Sequence, residues 1–357
     1  MRPGVPPGPD VAADGLAGRR VVIVGAGVAG ASLAWAAATA GAAVTLIDSG
    51  RVAAQGASSV PVALVNPHRG RTARASDADL RGAATLWRWA DALHARGYAH
   101  GARRDGVVRV ASDERQRRAW EGLDGVRHVG PGSLGPFRLR HGGFVVDSGG
   151  WLDPRAWLAA IVAAAVADGA RVHEGERAER IEGVPGCLIV HTTLGATRSA
   201  DVVALCIGAS PPGSLPFVPV RRIAGEVVLT PFGGVPHALA GGVYAAPVDH
   251  GPTATGSGGG PHLAVGGNHR EPAEAPIRTE DAESLLTSAR WALPTLGDEI
   301  RAVWTGVRAR GSDPEPIVRQ VAANVWFVGA FAGRGFLRAA PIAEDLVQAW
   351  TGLPRPA

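Results

Sequence analysis

Two glycine-rich segments have the spacing of nucleotide-binding loops. Near the start, Gly25, Gly27 and Gly30 follow an apolar strand-like stretch and open an alanine-rich, helix-like one, which is the G-x-G-x-x-G pattern of a dinucleotide site. Gly25 allows the tight turn, Gly27 lets the backbone approach a phosphate, and Gly30 lets the helix pack closely on the strand. Near the end, a second apolar stretch breaks into a glycine loop over residues 329–335 before another helix-like segment.

An acidic residue completes the first fingerprint. Asp48 ends the second predicted strand, where a carboxylate binds ribose hydroxyls and repels a 2′-phosphate. Two loops so far apart in the chain indicate one long cofactor held at both ends, and FAD has that length. A plain NAD dehydrogenase is an alternative, but it would leave the loop over residues 329–335 unexplained.

Composition excludes several classes of protein. The chain has 357 residues, of which 46% are hydrophobic, and its net charge is +4. It contains no lysine, which excludes a Schiff-base mechanism. No apolar run is long enough for a membrane span, so no membrane partner is expected. The 11 histidines show no metal-ligand spacing, and no metal site is expected.

The two cysteines bear on the cellular compartment. Cys187 and Cys206 lie in strand-like apolar stretches, which favours reduced thiols in the core over a disulfide. Reduced thiols are typical of the cytosol, so the sequence predicts a cytoplasmic protein.

The order of the elements predicts an α/β fold in which two domains are interleaved. Strand, helix and strand alternate over residues 20–48, as in a parallel sheet, whereas residues 216–270 alternate polar and apolar positions, as in an antiparallel one. We expect a Rossmann-like FAD-binding domain and an α+β substrate domain built on an antiparallel sheet. The first is expected over residues 19–75, 145–213 and 302–357, the second over 76–144 and 214–301, and a disordered tail over 1–18.

From residue 19 to residue 352 the chain resembles the D-amino-acid oxidase (DAO) superfamily of flavoproteins. Within it, the chain is most similar to the oxidase domain of MnmC and to glycine oxidase. Seven blocks carry the resemblance in the family's order, starting with the fingerprint above. The others are residues 56–67, 150–154, 200–209, 243–247, 304–316 and 329–341.

The resemblance implies which residues contact the cofactor. The cysteine-containing segment that tethers flavin in sarcosine oxidases is not visible, so FAD is expected to bind non-covalently, and His68 is expected to be a loop residue. The expected cofactor contacts are Gly25, Gly27, Val28, Ala29, Gly30, Asp48, Ser49, Ser58, Ser59, Ala178, Gly208, Gly329, Gly333, Gly335, Phe336 and Leu337.

The resemblance also implies three catalytic residues: Arg308, Tyr244 and Arg334. A guanidinium at Arg308 can hold a carboxylate with two parallel hydrogen bonds; a structural ion pair with Asp313 is the alternative. Tyr244 matches a position that helps to bind the carboxylate, although it could be an ordinary sheet residue. The segment from Arg334 is one residue longer than in the MnmC pattern, so Arg338 could take the role of Arg334.

The expected activity is oxidation of the C–N bond of an amino acid or an N-substituted glycine. Hydride passes to flavin, the imine hydrolyses, and molecular oxygen reoxidises the flavin. Free glycine or sarcosine is one candidate substrate, and the carboxymethylaminomethyl group of a tRNA wobble uridine is the other. A flavin-binding electron-transfer subunit of a larger dehydrogenase complex is the alternative from another class. A monomer and an oligomer are both compatible with the sequence.

A stretch rich in arginine bears on the choice of substrate. If its arginines share a face, they could follow the phosphates of a tRNA; the acids between them favour an ordinary solvated surface. One further acid, Glu226, stands where the family often has glutamine beside the flavin, so we expect it to point away or to be neutral. The arginines are Arg69, Arg71, Arg74, Arg103, Arg104, Arg109, Arg115, Arg117 and Arg118.

Overall fold

The computed structural model of the chain describes residues 8–210, 213–248, 261–271 and 279–353. Residues 1–7 of the expected tail lie outside this part. Six helices are formed in it, together with one 3₁₀ turn at Ala57–Ser59. The helices are α1 (Val28–Thr39), α2 (Asp77–Ala95), α3 (Glu114–Ala119), α4 (Pro154–Ala167), α5 (Thr279–Arg290) and α6 (Gly335–Thr351).

The strands of the described residues are short, and most are bounded by glycine-containing turns. In chain order they are β1 (Arg20–Val24), β2 (Ala43–Asp48), β3 (Ala63–Val65), β4 (Ala102–Arg103), β5 (Val107–Val110), β6 (Arg127–Val129), β7 (Gly132–Leu134), β8 (Phe137–Leu139), β9 (Gly143–Val146), β10 (Gly150–Leu152), β11 (Arg171–Glu174), β12 (Ala178–Val184), β13 (Cys187–Thr192), β14 (Thr197–Ala200), β15 (Val202–Leu205), β16 (Arg221–Pro231), β17 (Ala238–Gly241), β18 (Val243–Val248), β19 (His262–Gly266), β20 (Ala302–Arg310), β21 (Ile317–Ala322) and β22 (Val325–Gly329).

The first large sheet has the order β11-β2-β1-β15-β22-β21. Its first five strands are parallel, and β21 runs antiparallel at the edge. Helices α1, α2, α4 and α6 share one apolar core with this sheet, and Trp35 and Trp89 are fully buried there. Parallel strands covered by helices read as continuous apolar runs, which is why Val21–Val24 and Val202–Leu205 could be recognised as strands.

The second large sheet has the order β20-β16-β19-β18-β17-β5-β9-β6. Its pairs are antiparallel except for β17 with β5. Helix α5 packs on one face through Leu285, Leu286 and Ala289. The expected combination of a Rossmann-like sheet with an antiparallel one is thus confirmed.

Three of the expected domain boundaries lie elsewhere. Strand β20 was expected in the FAD-binding domain, but it pairs with β16 in the antiparallel sheet. Strand β9 likewise pairs with β5 in that sheet, although residue 145 was taken as the start of an FAD-binding segment. Helix α2 was assigned to the substrate domain, yet its Leu86, Trp89 and Leu93 are buried in the core beneath the parallel sheet. Sequence alone could not identify these packing partners. Amphipathic periodicity indicates that one face of an element is buried, but it does not indicate which other element covers that face.

Two further expectations were wrong. Residues 8–18 are not a disordered tail: Leu16 is fully buried, and the backbone N–H of Asp10 donates to the carboxylate of Glu344 at 2.8 Å. The cysteines are both free, but only Cys206 lies in the core, while Cys187 is exposed. Within the described residues, no helix combines the length and the apolar character that a membrane span requires.

Candidate active site

One cavity of about 2270 Å³ lies between the two large sheets. Its walls include the carboxyl ends of the parallel strands, at Val24 and Asp48, and residues of the antiparallel sheet, among them Tyr244 and Arg308. The volume exceeds the roughly 300–1,000 Å³ of a typical small-ligand pocket, so it suits a large cofactor together with a substrate. All the residues expected to act in catalysis or cofactor binding line this cavity, with the exception of Gly30.

Two of the three glycines of the first turn, Gly25 and Gly30, leave no room for a side chain. Gly25 has a φ of +101°, and a Cβ atom there would lie 2.4 Å from the carbonyl oxygen of Cys206. A Cβ atom on Gly30 would lie 1.8 Å from the carbonyl oxygen of Gly25. Gly30 therefore acts through packing, by seating α1 against β1, and has no place on the cavity wall. The amino end of α1, a natural anion site, points into the cavity at Val28 and Ala29.

Asp48 and Ser58 fix the geometry around this turn. The Asp48 carboxylate accepts hydrogen bonds from the backbone N–H groups of Ala26 (2.6 Å) and Gly50 (2.8 Å). The Ser58 hydroxyl accepts from the backbone N–H of Val28 at 3.0 Å. That bond satisfies a donor that the first turn of a helix otherwise leaves free, so Ser58 marks where an anionic oxygen of a cofactor would be held.

The second glycine loop is strained and joined to the opposite sheet. Ala330 and Ala332 have φ values of 58° and 51°, which cost energy for residues with a Cβ and are typical of functional loops. The backbone N–H of Ala332 donates to the carbonyl oxygen of Ala309 at 3.0 Å. The loop before α6 is thereby tied to the residue that follows Arg308 in β20.

Arg308 has the environment expected of an anion-binding residue. Its Nη2 atom is buried and has no hydrogen-bond partner among the described residues. Burial lowers the pKa of Arg308, and the neighbouring Arg310 lowers it further, whereas Tyr244 raises it. In the part of the chain that the structure describes, the alternative ion pair with Asp313 is not formed, and Asp313 accepts from the backbone N–H of Glu315 instead.

Tyr244 lies on β18 of the same sheet as Arg308, and the two side chains are close enough for each to affect the pKa of the other. Its ring lies over Gly266, where a Cβ atom would be 2.7 Å from the phenolic oxygen. Burial raises the pKa of Tyr244 to about 12, against an opposing effect of the Arg308 charge. The phenol therefore stays protonated at neutral pH and can donate a hydrogen bond to an anion held by Arg308.

The two arginines at the start of α6 are engaged by carboxylates. Arg334 pairs with Glu315 at 2.9 Å, and Arg338 pairs with Asp79 at 3.0 Å and with Glu315 at 2.9 Å. Arg334 lines the cavity. The charges of both arginines are thus balanced within the protein, in contrast to Arg308.

Arg69 and His269 are titratable residues of the cavity for which the sequence predicted no role in the site. Arg69 was grouped with the basic stretch, but its guanidinium lies beside Gly333, and burial together with Arg334, Arg308 and Arg338 lowers its pKa, whereas Asp79 raises it. His269 also lines the cavity. Its pKa is lowered by burial and by Arg308 and Arg310, against the effect of Glu271. Neither residue belongs to a motif, so no sequence signal could have identified them.

The arginines of the basic stretch do not form one surface. Arg109 is buried, and it donates to the backbone carbonyls of His68 and Gly70. Arg117, on helix α3, pairs with Glu114 at 2.6 Å and with Glu121 at 2.7 Å. Part of the stretch is therefore internal, and part is neutralised by acids on its own helix.

Glu226 is paired with a basic residue, and His68 is a loop residue, as expected. Glu226 lines the cavity, with its side chain fully buried, and forms an ion pair with Arg270 at 2.8 Å. His68 is a buried loop residue whose Nδ1 lies 3.0 Å from the carbonyl oxygen of Ala73. No group of three or more His, Cys, Asp or Glu side chains suited to a metal ion occurs among the residues that the structure describes.

Comparison with known proteins identifies the class to which this fold and cavity belong. Residues 20–349 match the family model DAO, described as FAD dependent oxidoreductase. The chain belongs to this family: it is an FAD-dependent oxidoreductase, and FAD is its cofactor.

Individual relatives agree with this assignment. The chain is 30% identical over 385 residues to the tRNA 5-methylaminomethyl-2-thiouridine biosynthesis bifunctional protein MnmC of Paraburkholderia phytofirmans, covering 95% of this chain and 58% of that protein. The chain therefore spans little more than half the length of that relative. Glycine oxidase from Geobacillus kaustophilus has a similar structure, with a TM-score of 0.76, 19% identity and coverage of 95% and 96% of the two chains. Iminodiacetate oxidase from Chelativorans sp. BNC1 has a TM-score of 0.73, 22% identity and coverage of 95% and 97%.

Proposed function

We propose that this protein oxidises the C–N bond of a small amino acid or N-substituted glycine. The observation that carries the proposal is the buried, unpartnered Nη2 of Arg308, which faces a cavity lined by cofactor-binding segments. A buried guanidinium nitrogen without a hydrogen-bond partner is costly, and the carboxylate of a substrate would supply the missing hydrogen bond.

Arg308 and Tyr244 hold the substrate, and the loop before α6 aligns it. Arg308 clamps the carboxylate, and the protonated Tyr244 donates a further hydrogen bond to it. Because Ala332 is bonded to Ala309, the carboxylate anchor and the glycine loop keep a fixed separation. Such positioning directs the α-carbon hydrogen towards the hydride acceptor, and positioning of this kind accounts for much of catalysis. Bound FAD supplies the acceptor for the hydride, that is, for two electrons and one proton.

The remaining steps balance without a metal ion. Loss of hydride from the carbon next to the uncharged nitrogen leaves an iminium ion, which is a protonated imine. Water hydrolyses it to a carbonyl compound and an amine or ammonia and releases one proton, which is the second of the two protons needed to reduce oxygen. Transfer of the two electrons and two protons to molecular oxygen gives hydrogen peroxide. No general base is required, because an unprotonated amine can release hydride directly.

The carboxymethylaminomethyl group of a tRNA wobble uridine is the second candidate substrate. The 30% identity to MnmC favours it. The burial of Arg109, the position of Arg69 in the cavity wall and the neutralisation of Arg117 favour a free substrate, because they leave fewer arginines on the outer surface for phosphates. The electron-transfer subunit of a larger complex, expected as the alternative from another class, is the third candidate. We also propose a cytoplasmic location, consistent with the two free thiols.

Anaerobic reduction of the flavin tests the proposal. The holoenzyme is mixed with glycine, sarcosine, D-amino acids or modified tRNA, and the visible absorbance of the flavin is followed. We expect bleaching by a small amino acid at a rate that is insensitive to salt. Bleaching by tRNA alone, with a steep loss of rate as salt is added, would replace it by the second candidate. A flavin that no amine reduces would leave the electron-transfer candidate.

A further inference from the structure

A second arginine of the cavity has no role in the function proposed so far. Arg69 lies in the loop between β3 and α2 and lines the cavity. Among the described residues, it has neither a hydrogen bond nor an ion pair. Its neighbours Arg334 and Arg338 are paired with Glu315 and Asp79. Arg69 therefore resembles Arg308, as a guanidinium whose charge the protein does not balance.

Arg69 and Arg308 converge on one glycine. A Cβ atom on Gly333 would lie 3.3 Å from Nη2 of Arg69 and 4.0 Å from Nη1 of Arg308. The absence of a side chain at Gly333 leaves the space between the two guanidinium groups open. Two positive charges that face one space repel each other. An anion bound between the two guanidinium groups, or one anion bound to each, would compensate for this repulsion.

The local charge count calls for more than one negative group. The charges of Arg334, Arg308 and Arg338 all lower the pKa of Arg69, so the four guanidinium groups lie close to one another. The carboxylates beside them are Asp79 and Glu315. These two carboxylates pair with Arg334 and Arg338, so in the described part of the chain neither Arg69 nor Arg308 has a carboxylate of its own, and a single substrate carboxylate would neutralise only one of the two.

We infer that the substrate carries two carboxylates on the two arms of a secondary amine, one bound by Arg308 and the other by Arg69. This inference rests on the proposed function and specifies its substrate class as N-carboxyalkyl amino acids. Arg69 is then a specificity residue: it selects for the second carboxylate and leaves the bond that is broken unchanged. The C–N bond next to the carboxylate on Arg308 is oxidised by the balanced steps given above.

Two matched pairs of compounds isolate the second carboxylate. Sarcosine and iminodiacetate are substrates that differ by one carboxylate on the second arm of the amine. Methoxyacetate and oxydiacetate differ in the same way, but they have no amine to oxidise. Binding of the ethers to the FAD-loaded protein is measured by perturbation of the flavin absorbance, and anaerobic reduction by the amines is measured separately.

Three variants complete the experiment. Arg69→Leu removes the charge, and Arg69→Lys keeps it without the planar fork. Arg319→Leu, at an exposed position of β21, is the control for loss of one arginine. The flavin content of each purified variant shows whether the protein has folded.

We expect the wild-type protein to bind oxydiacetate about 10- to 100-fold more tightly than methoxyacetate, as for one charge-assisted hydrogen-bonding group. Arg69→Leu should abolish that preference and change methoxyacetate binding by less than about threefold, while Arg69→Lys should keep part of it. No preference in the wild-type protein would overturn the inference. An equal loss for both ethers in Arg69→Leu would also overturn it, because Arg69 would then act on the flavin or on the shared carboxylate. A preference for oxydiacetate without reduction by any amine would support the second anion site and overturn the proposed oxidation.

Discussion

The two sides of the cavity are built in different ways. On the cofactor side, the geometry is set by backbone and by missing side chains: Gly25 and Gly30 leave no room for a Cβ atom, and Ala332 holds a left-handed backbone. On the substrate side, charged groups from separate segments converge, as Arg69 and Arg308 do beside Gly333. A site of the first kind fails when a methyl group is added, whereas a site of the second kind fails when a charge is removed. Four substitutions or measurements test this contrast.

The largest effect is expected at Gly30. Gly30→Val places a side chain where even a Cβ atom would be 1.8 Å from the Gly25 carbonyl oxygen, so α1 must move away from β1. We expect loss of bound FAD and a decrease of about 3–5 kcal/mol in the free energy of unfolding, measured by flavin absorbance and urea titration. Gly130→Ala is the control, because Gly130 is exposed and its Cβ would meet nothing within 4 Å. A Gly30→Val protein with normal FAD content would refute the steric account.

The next effect concerns Arg308. Arg308→Leu should lower kcat/KM for an amino-acid substrate by about 100- to 1,000-fold, through the loss of charge-assisted hydrogen bonds and of substrate orientation. The FAD content should not change, because the residue belongs to the substrate side. Steady-state kinetics and flavin absorbance measure the two quantities, with Arg319→Leu as the control. Loss of FAD in Arg308→Leu would contradict the assignment of Arg308 to the substrate side of the cavity.

Glu226 tests whether charge balance also stabilises the fold. Its side chain is fully buried and pairs with Arg270 at 2.8 Å, and removing one member of a buried pair leaves the other charge poorly compensated. We expect Glu226→Gln to lower the free energy of unfolding by about 3 kcal/mol. Glu299→Gln breaks an exposed pair with Arg301 at the same distance of 2.8 Å and should cost less than about 1 kcal/mol. Equal losses in the two variants would show that burial is not what matters.

The smallest effect is a change in the pKa of His269. Partial desolvation in the cavity wall holds this pKa below its ordinary value, and the charges of Arg308 and Arg310 lower it further, although the residue is exposed on one side. In Arg308→Leu the pKa should therefore rise, as NMR titration of the imidazole would detect, and in Arg319→Leu it should not. An unchanged pKa in Arg308→Leu would place His269 outside the field of Arg308.

The same shift has a consequence for stability. As the pH falls below about 6.5, the His269 imidazole becomes protonated in the unfolded chain before it does so in the folded protein. The contribution of His269 to stability is therefore fully present above a pH of about 6.5. It is lost as the pH falls towards the lower pKa that His269 has in the folded protein. The loss should be smaller in Arg308→Leu.

The contrast between the two sides also explains what the sequence could predict. Gly25, Gly27 and Asp48 follow one another within a single strand–turn–helix unit, so their spacing specifies their geometry before the fold is known. Arg308 and Tyr244 were found through a resemblance to a family. Arg69 was misjudged because nothing in its neighbourhood along the chain distinguishes the half-buried Arg69 from the exposed Arg71 and Arg74.

The misplaced domain boundaries have the same cause. Strand β20 precedes the last strands of the parallel sheet in the chain, yet its hydrogen bonds go to β16. Pairing between distant segments depends on which edges are free in the folded protein, and local periodicity carries no record of that. The exposed Cys187 shows it on a smaller scale, because the first residue of a strand can face solvent even when the strand as a whole is apolar.

The hydrogen bond from Ala332 to Ala309 involves backbone atoms only. Side chains on β20 can therefore be exchanged without breaking the bond that keeps this strand aligned with the loop before α6. Natural variation or protein engineering could in this way change which amine is accepted, residue by residue, while the distance between the substrate anchor and the redox centre is preserved. The residues that select the substrate can therefore change independently of the backbone contact that aligns the substrate with the cofactor.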